Sequence, residues 1–215
     1  MVNAVIDLRP QFGPTRDQGH RPTCLAFAAS DTHAGLRLGW AELSCEYAFY
    51  RAQKRAGRSA SRGALLQQML DAIRLDGQPE EQQWPYAGAN PDETKWAPPS
   101  GVGPLYKRNG AAHHEDFSWL IGTLDQKIPA IVLMMLSRSF FLPQAGAIID
   151  ESPGEKPEPA QRHAVVAVGH GLVDHQKAIL VRNSWGTDWG ENGYGWLTER
   201  YLTPRMFALA LLVEN

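Results

Sequence analysis

The sequence predicts an α+β protein, mainly helical from residue 1 to 105 and mainly β from 106 to 215. Three observations carry that expectation. In the first half, Leu65, Leu66, Met69, Leu70 and Ile73 step at the three- and four-residue spacing of an amphipathic helix. In the second, apolar runs such as Ala130 to Leu136 are too brief for helices and suit strands. Between these textures, Pro91, Pro98, Pro99, Gly101 and Gly103 crowd a stretch that regular structure does not cross.

Taken in order, the first helix begins at Cys24 behind Pro22 and the candidate N-cap Thr23, and stops near Gly39. A second runs from Ser44 to Gly57, and a third from Leu65 to Leu75, closed by Gly77. The breaker-rich crossing follows Trp84, Pro85 and Tyr86 and extends to Pro104. Glu115 to Lys127 forms one more helix. Strands are expected at Ala130 to Leu136, Ala164 to Val168, Ala178 to Val181, Tyr194 to Leu197 and Phe207 to Val213. The charged, proline-rich segment from Glu151 to Ala160 reads as an exposed loop.

A chain of 215 residues, 43% hydrophobic and 20% charged, has enough apolar surface for one core or two small intimate ones. With 21 basic against 23 acidic side chains, the net charge of -2 gives no broad pull toward nucleic acid or anionic lipid. No run reaches membrane-spanning length, and the N-terminus lacks the basic start and apolar stretch of a secretory signal. Two cysteines make neither a disulfide framework nor a four-cysteine metal site. The expectation is a protein that is cytoplasmic as synthesised, with a signal-independent export route left open. No cofactor, metal, nucleic acid or membrane is expected as a partner, and the oligomeric state is left unassigned.

Chemistry enters at Cys24. A thiol becomes a useful nucleophile when its pKa falls, and a helix N-terminus and a neighbouring imidazolium both lower it. Cys24 sits in the first turn of its helix; Cys45, also near a helix start, has no glutamine or glycine turn before it and reads as structural. Upstream, Gly19 permits a turn that swings the Gln18 amide back toward the sulfur, where it and the Cys24 N–H would hold an oxyanion. Among seven histidines, His163 alone heads an apolar strand that pairs with a second one ending at Asn183. A turn centred on Val173 sets residue 163 opposite 183, so the Asn183 carbonyl would fix the tautomer of the ring. The neighbours His113 and His114 point apart and complete no metal site.

These blocks together resemble the papain-like cysteine peptidases, of the bacterial type without a prosegment. The resemblance runs through Arg16 to Gly19, Cys24 to Ala28, Leu43-Ser44, Trp84 to Tyr86, His163 to Gly169, Asn183 to Gly186 and Trp189 to Tyr194, in family order. It implies a helical domain carrying the nucleophile helix, packed on a β-barrel-like domain, together one catalytic unit. It further implies thiol-dependent amide hydrolysis of a peptide or protein through an acyl-enzyme. In that scheme Gln18 lines the oxyanion hole, Cys24 attacks, His163 shuttles the proton and Asn183 orients it. Trp185 shields the histidine–asparagine bond, and Gly63, Ala64, Arg162 and Trp185 are the candidate substrate-binding residues.

Departures from the family pattern sharpen the expectations. Arg21-Pro-Thr-Cys-Leu25 replaces the usual Cys-Gly-Ser-Cys-Trp, so the neighbouring disulfide is absent. The cation of Arg162, next to His163, is expected to lower the pKa of the base. The short lead before Gln18 leaves no room for an inhibitory segment, which assigns access control to Pro22 and the loop from Glu151 to Ala160. Two other readings use the same residues: a catalytically silent binding module of this fold, and an acyl or amine transferase.

Overall fold

The computed structural model describes residues 1–213, which fold as a helical unit and a sheet unit. The helical unit holds Gln11–Gly13 and Gln18–Ala112; the sheet unit holds Met1–Pro10, Pro14–Asp17 and His113–Leu211.

In the helical unit, α1 (Cys24–Gly35) is buried on every side after its first residue. Small residues allow this, because the run of alanines lets neighbours pack against its backbone. The helix ends four residues before Gly39, tightening as the Arg37 N–H turns back to the Ala34 carbonyl. Helix α2 (Cys45–Ala56) has the ends its sequence predicts. The Ser44 hydroxyl caps the Tyr47 N–H at 3.0 Å, and Gly57 takes the left-handed conformation that closes it. Its own Tyr47 and Phe49 are fully buried, as is Leu43 just before it. Helix α3 (Leu66–Asp71) runs into a π-helical turn over Ala72–Asp76 and stops at Gly77. The strand β2 (Asn109–His113) follows the irregular crossing. Gln78 ties the unit together: its amide donates to Ser30 Oγ and the Ser44 carbonyl, and its oxygen faces His33 Nδ1 at 2.9 Å.

In the sheet unit, β1 (Val2–Asp7) precedes the helix α4 (Phe117–Asp125), which Asp116 caps through the Trp119 N–H. Then come β3 (Ala130–Leu136), the short helix α5 (Arg138–Phe141), β4 (Ile148–Ile149), β5 (Glu158–Val173), β6 (Gln176–Arg182), β7 (Tyr194–Thr198), the short helix α6 (Glu199–Leu202) and β8 (Met206–Val213). Strand order is β8-β3-β5-β6-β7-β4, antiparallel except for β4 against β7. The path is open, so the barrel-like half is a sheet that does not close on itself.

Strand β5 organises this unit. It is much longer than the Ala164 to Val168 core that its apolar run marks, because three strands use it. Along one edge β3 pairs with Glu158 to Ala167 and β1 with Gly169 to Val173; β6 covers the other. Gly169 and Gly171 make room for β1, since a Cβ on either would lie 2.3 Å from the Ile6 or Asn3 carbonyl oxygen. This pairing also revises the division near residue 105. The first ten residues join the sheet unit through β1, while Tyr106 stays with the helical unit by exchanging both backbone bonds with Gln78. Among the described residues, no helix is long and apolar enough to cross a membrane.

Candidate active site

In the helical unit, Cys24 is the first residue of α1, half-buried and outside any disulfide. Its backbone therefore lies at the positive end of a twelve-residue helix. Cys45 occupies the matching position on α2, yet its N–H donates to a carboxylate oxygen of Glu81 at 3.2 Å. An anion already placed there opposes a second one, and the Cys45 side chain is fully buried. The two thiols differ in surroundings although their helical positions agree.

Gln18 is buried, and its Nε2 donates to the Arg21 carbonyl oxygen at 2.9 Å. Gly19, with φ of +57°, makes the turn that permits this. The same carbonyl accepts the Thr23 N–H at 2.8 Å, so one oxygen ties the glutamine amide to the helix cap. The turn is anchored below by the Arg21 guanidinium, which meets both carboxylate oxygens of Glu46 at 2.5 and 3.0 Å and the Ala87 carbonyl at 2.6 Å. Both side chains are buried, and Glu46 also accepts the Trp96 indole N–H at 2.7 Å. Removing either charge would strand the other in a dry site. Gly63 is placed beside this approach, its missing Cβ 3.9 Å from the Pro22 carbonyl oxygen, and Ala64 follows it in the segment leading to α3.

In the sheet unit, His163 and Asn183 meet by a route that differs from the simple hairpin. The turn lies at Asp174 and His175, both with positive φ, and Gly171 faces Ala178. Continued without interruption, that register would put Asn183 on the face opposite His163. A bulge between Ala167 and Gly169 shifts the pairing by one residue, so Val166 faces Arg182 and the next position, Val165, lies across from Asn183. Residues 163 and 165 share a face. The extra residue in β5 is thus what brings the imidazole and the amide together, on a diagonal instead of directly opposite.

His163 Nε2 lies 2.7 Å from Asn183 Oδ1, with both side chains buried. Oδ1 also accepts the Ser184 N–H at 2.9 Å, which fixes the amide orientation: a flipped amide would set its NH₂ against that backbone donor. The neutral ring therefore carries its proton on Nε2 and its lone pair on Nδ1. Burial pushes the His163 pKa down to about 4, against the smaller opposing effect of the Asn183 bond. Trp185 lies over the ring at 4.8 Å, and Phe140 meets its edge at 5.6 Å. Phe140 is held in turn by its contacts with Trp185 and Trp189, whose indole N–H donates to the Phe140 carbonyl at 2.9 Å.

Arg162 does not join this group. Neighbours along a strand point to opposite faces, and its exposed guanidinium lies 5.4 Å from the centre of the Phe207 ring. The pKa of His163 does fall, but through burial and not through that cation. Sequence reasoning missed Arg21, Glu46 and Phe140. The Glu46 partnership had no local signal, being a contact across 25 positions; Phe140 sits in a segment without periodicity. Tyr86 was visible as part of Trp84-Pro85-Tyr86, without a role. Among the described residues, no group of three or more His, Cys, Asp or Glu is placed to hold a metal ion, and His113 stacks on Trp119.

Residues 2–203 match the model of the papain family of cysteine proteases. Cysteine proteinase 1 of Entamoeba histolytica is 30% identical over 188 residues, covering 84% of this chain and 58% of that protein. Thiol protease aleurain of Arabidopsis thaliana is 28% identical over 193 residues, covering 84% of this chain and 51% of that protein. The chain thus spans little more than half the length of these curated relatives. Among solved structures, xylellain, a cysteine protease from Xylella fastidiosa, superposes with a TM-score of 0.77 at 21% identity, covering 100% of this chain and 87% of that one. The Carica candamarcensis cysteine protease CMS1MS2, solved in complex with E-64, gives 0.76 at 22% identity, covering 98% of both chains. At these identities the superpositions speak for the fold.

Proposed function

Because the chain belongs to the papain family of cysteine proteases, we propose that it is a peptidase that cleaves peptide bonds through a thioester on Cys24. The observation that carries this reading is the buried bond from His163 Nε2 to Asn183 Oδ1 at 2.7 Å, which leaves the basic lone pair of the neutral ring on Nδ1. A ring whose pKa is pushed down to about 4 by burial takes a proton near neutral pH only if an anion forms beside it. Thiolate and imidazolium would therefore form together, by transfer of the Cys24 proton to Nδ1.

The thiolate then attacks the scissile carbonyl. The oxyanion is received by the Cys24 N–H and by the Gln18 amide, whose orientation is supported by its bond to the Arg21 carbonyl. The imidazolium gives its proton to the leaving nitrogen as the C–N bond breaks. Water attacks the thioester with His163 as base, the C–S bond breaks, and thiol and carboxylic acid are released. Trp185 and Phe140 exclude water from the histidine–asparagine bond, while Gly63 and Ala64 offer backbone to an extended peptide. Peptides or proteins are the proposed substrates. A reducing, cytoplasmic setting at synthesis belongs to the same reading and is supported by two cysteines outside any disulfide.

The test is hydrolysis of an internally quenched peptide library, with iodoacetamide labelling followed residue by residue. Hydrolysis should disappear in Cys24→Ala and persist in Cys45→Ala, and Cys24 should be alkylated at least about tenfold faster than Cys45 near neutral pH. Equal labelling of the two thiols, or hydrolysis that survives Cys24→Ala, would falsify the assignment.

A further inference from the structure

We propose that the Tyr86 hydroxyl is a positioning group for acyl transfer, holding the Gln18 turn and the cap of the nucleophile helix in the arrangement that receives an oxyanion. Its oxygen donates to the Gln18 carbonyl at 2.8 Å and lies 2.8 Å from Thr23 Oγ1. A carbonyl oxygen can only accept, so the single phenolic proton goes to Gln18 and Thr23 is the donor in the second bond. One oxygen thereby bridges the residue proposed to bind the oxyanion and the residue that precedes the nucleophile.

Thr23 shows the consequence. Its side chain makes no capping bond to α1, although threonine at this position commonly accepts an N–H of the first turn. With Oγ1 drawn to Tyr86, Thr23 enters the first turn through its carbonyl, which accepts the Phe27 N–H at 3.0 Å, and its hydroxyl ties the cap to the Gln18 turn instead. The phenol itself is well fixed. Its ring meets the edge of Phe27 at 4.7 Å and lies under the Arg21 guanidinium at 4.9 Å, and its N–H donates to Glu81 at 2.6 Å. Burial also raises its pKa, which keeps the proton available for Gln18. The role rests on the peptidase reading: Tyr86 touches no reacting atom and acts through Gln18 and Thr23.

Tyr86→Phe removes one oxygen and keeps the ring packing, which makes it the informative variant. With a peptide substrate, kcat should fall about tenfold and KM stay within about twofold. The affinity for a peptide aldehyde, whose thiol adduct carries an oxyanion, should weaken about tenfold in parallel. Alkylation of Cys24 by iodoacetamide forms no oxyanion and should change less than about twofold. Thr23→Val should reproduce this pattern, and the double variant should lose no more than Tyr86→Phe alone, because the two substitutions cut one shared arrangement. A kcat unchanged in Tyr86→Phe, with the parent active, overturns the role and leaves the peptidase reading standing. Hydrolysis, aldehyde affinity and alkylation all falling together overturns it too, since a general loss of folded protein does that. A parent protein that turns over no peptide overturns the peptidase reading, and this role with it.

Discussion

Asn183 does not touch the substrate in the proposed reaction, yet two backbone bonds and one side-chain bond define where it stands. Its N–H donates to the Gly193 carbonyl and its Oδ1 accepts from Ser184 and faces His163. Such an amide orients a base; it does not move a proton. Asn183→Ala is therefore expected to reduce kcat/KM about 10- to 100-fold and leave measurable turnover, whereas His163→Ala removes the proton shuttle and reduces it at least about a thousandfold. Steady-state rates with one quenched peptide check both, and a His163→Ala protein as active as Asn183→Ala would remove His163 from its role. At this scale the sequence was highly informative about the residue types, since a cysteine at a helix start, an apolar strand headed by histidine and a strand ending in asparagine each have a chemical reason. It was uninformative about Arg162, because adjacency in sequence suggested a charge effect that strand alternation cancels.

At the scale of elements, legibility follows how local the cause is. Ser44 and Gly57 bound α2 through bonds to residues within five positions, so the sequence contains the whole argument. The bulge in β5 has no such local cause. It arises where one strand must serve β3, β1 and β6 together; the turn at Asp174 and His175 moves the register three residues from that expected of a turn centred on Val173, and the bulge returns one of them. The first strand was missed for a related reason: β1 is mostly exposed and shows little apolar alternation, and its place is set by the glycines that admit it. Those glycines give a test. Gly169→Ala introduces a Cβ 2.3 Å from the Ile6 carbonyl oxygen and is expected to destabilise the protein by about 3 kcal/mol, by forcing β1 from β5. Gly122→Ala, on α4 with open space at the new Cβ, is expected to stabilise by about 0.5 kcal/mol through helix propensity. Urea denaturation of the three proteins measures both, and a Gly169→Ala midpoint equal to the parent's would show that β1 does not hold that edge.

For the whole molecule, two of the buried histidines couple folding to pH. His33 in the helical unit and His163 in the sheet unit both have pKa values lowered by burial from 6.5 to about 4, each opposed by one hydrogen bond, from Gln78 and Asn183 respectively. In the unfolded chain both rings take up protons as the pH drops below 6.5, while in the folded protein they stay neutral until about pH 4. The unfolded state therefore binds more protons across that window, and acid favours it. The contribution of each ring is fully present above pH 6.5 and lost by about pH 4, on the order of 3 kcal/mol at most. Further loss between about pH 4.5 and 2 belongs to Glu155, whose carboxylate is held low chiefly by the Ser139 hydroxyl and N–H and by the Ser152 N–H, in opposition to its burial. His33 is the residue to vary, because it lies outside the proposed chemistry. His33→Asn keeps a side chain able to donate to Gln78 and removes one titrating ring, so it should cost stability at pH 7.5 and recover part of that deficit by pH 4.5. Urea midpoints for the parent and the variant at pH 7.5, 6, 5 and 4.5 follow the difference directly. A gap between them that stays constant across the series, or a parent whose stability rises on acidification, would show that His33 is not held neutral in the folded protein.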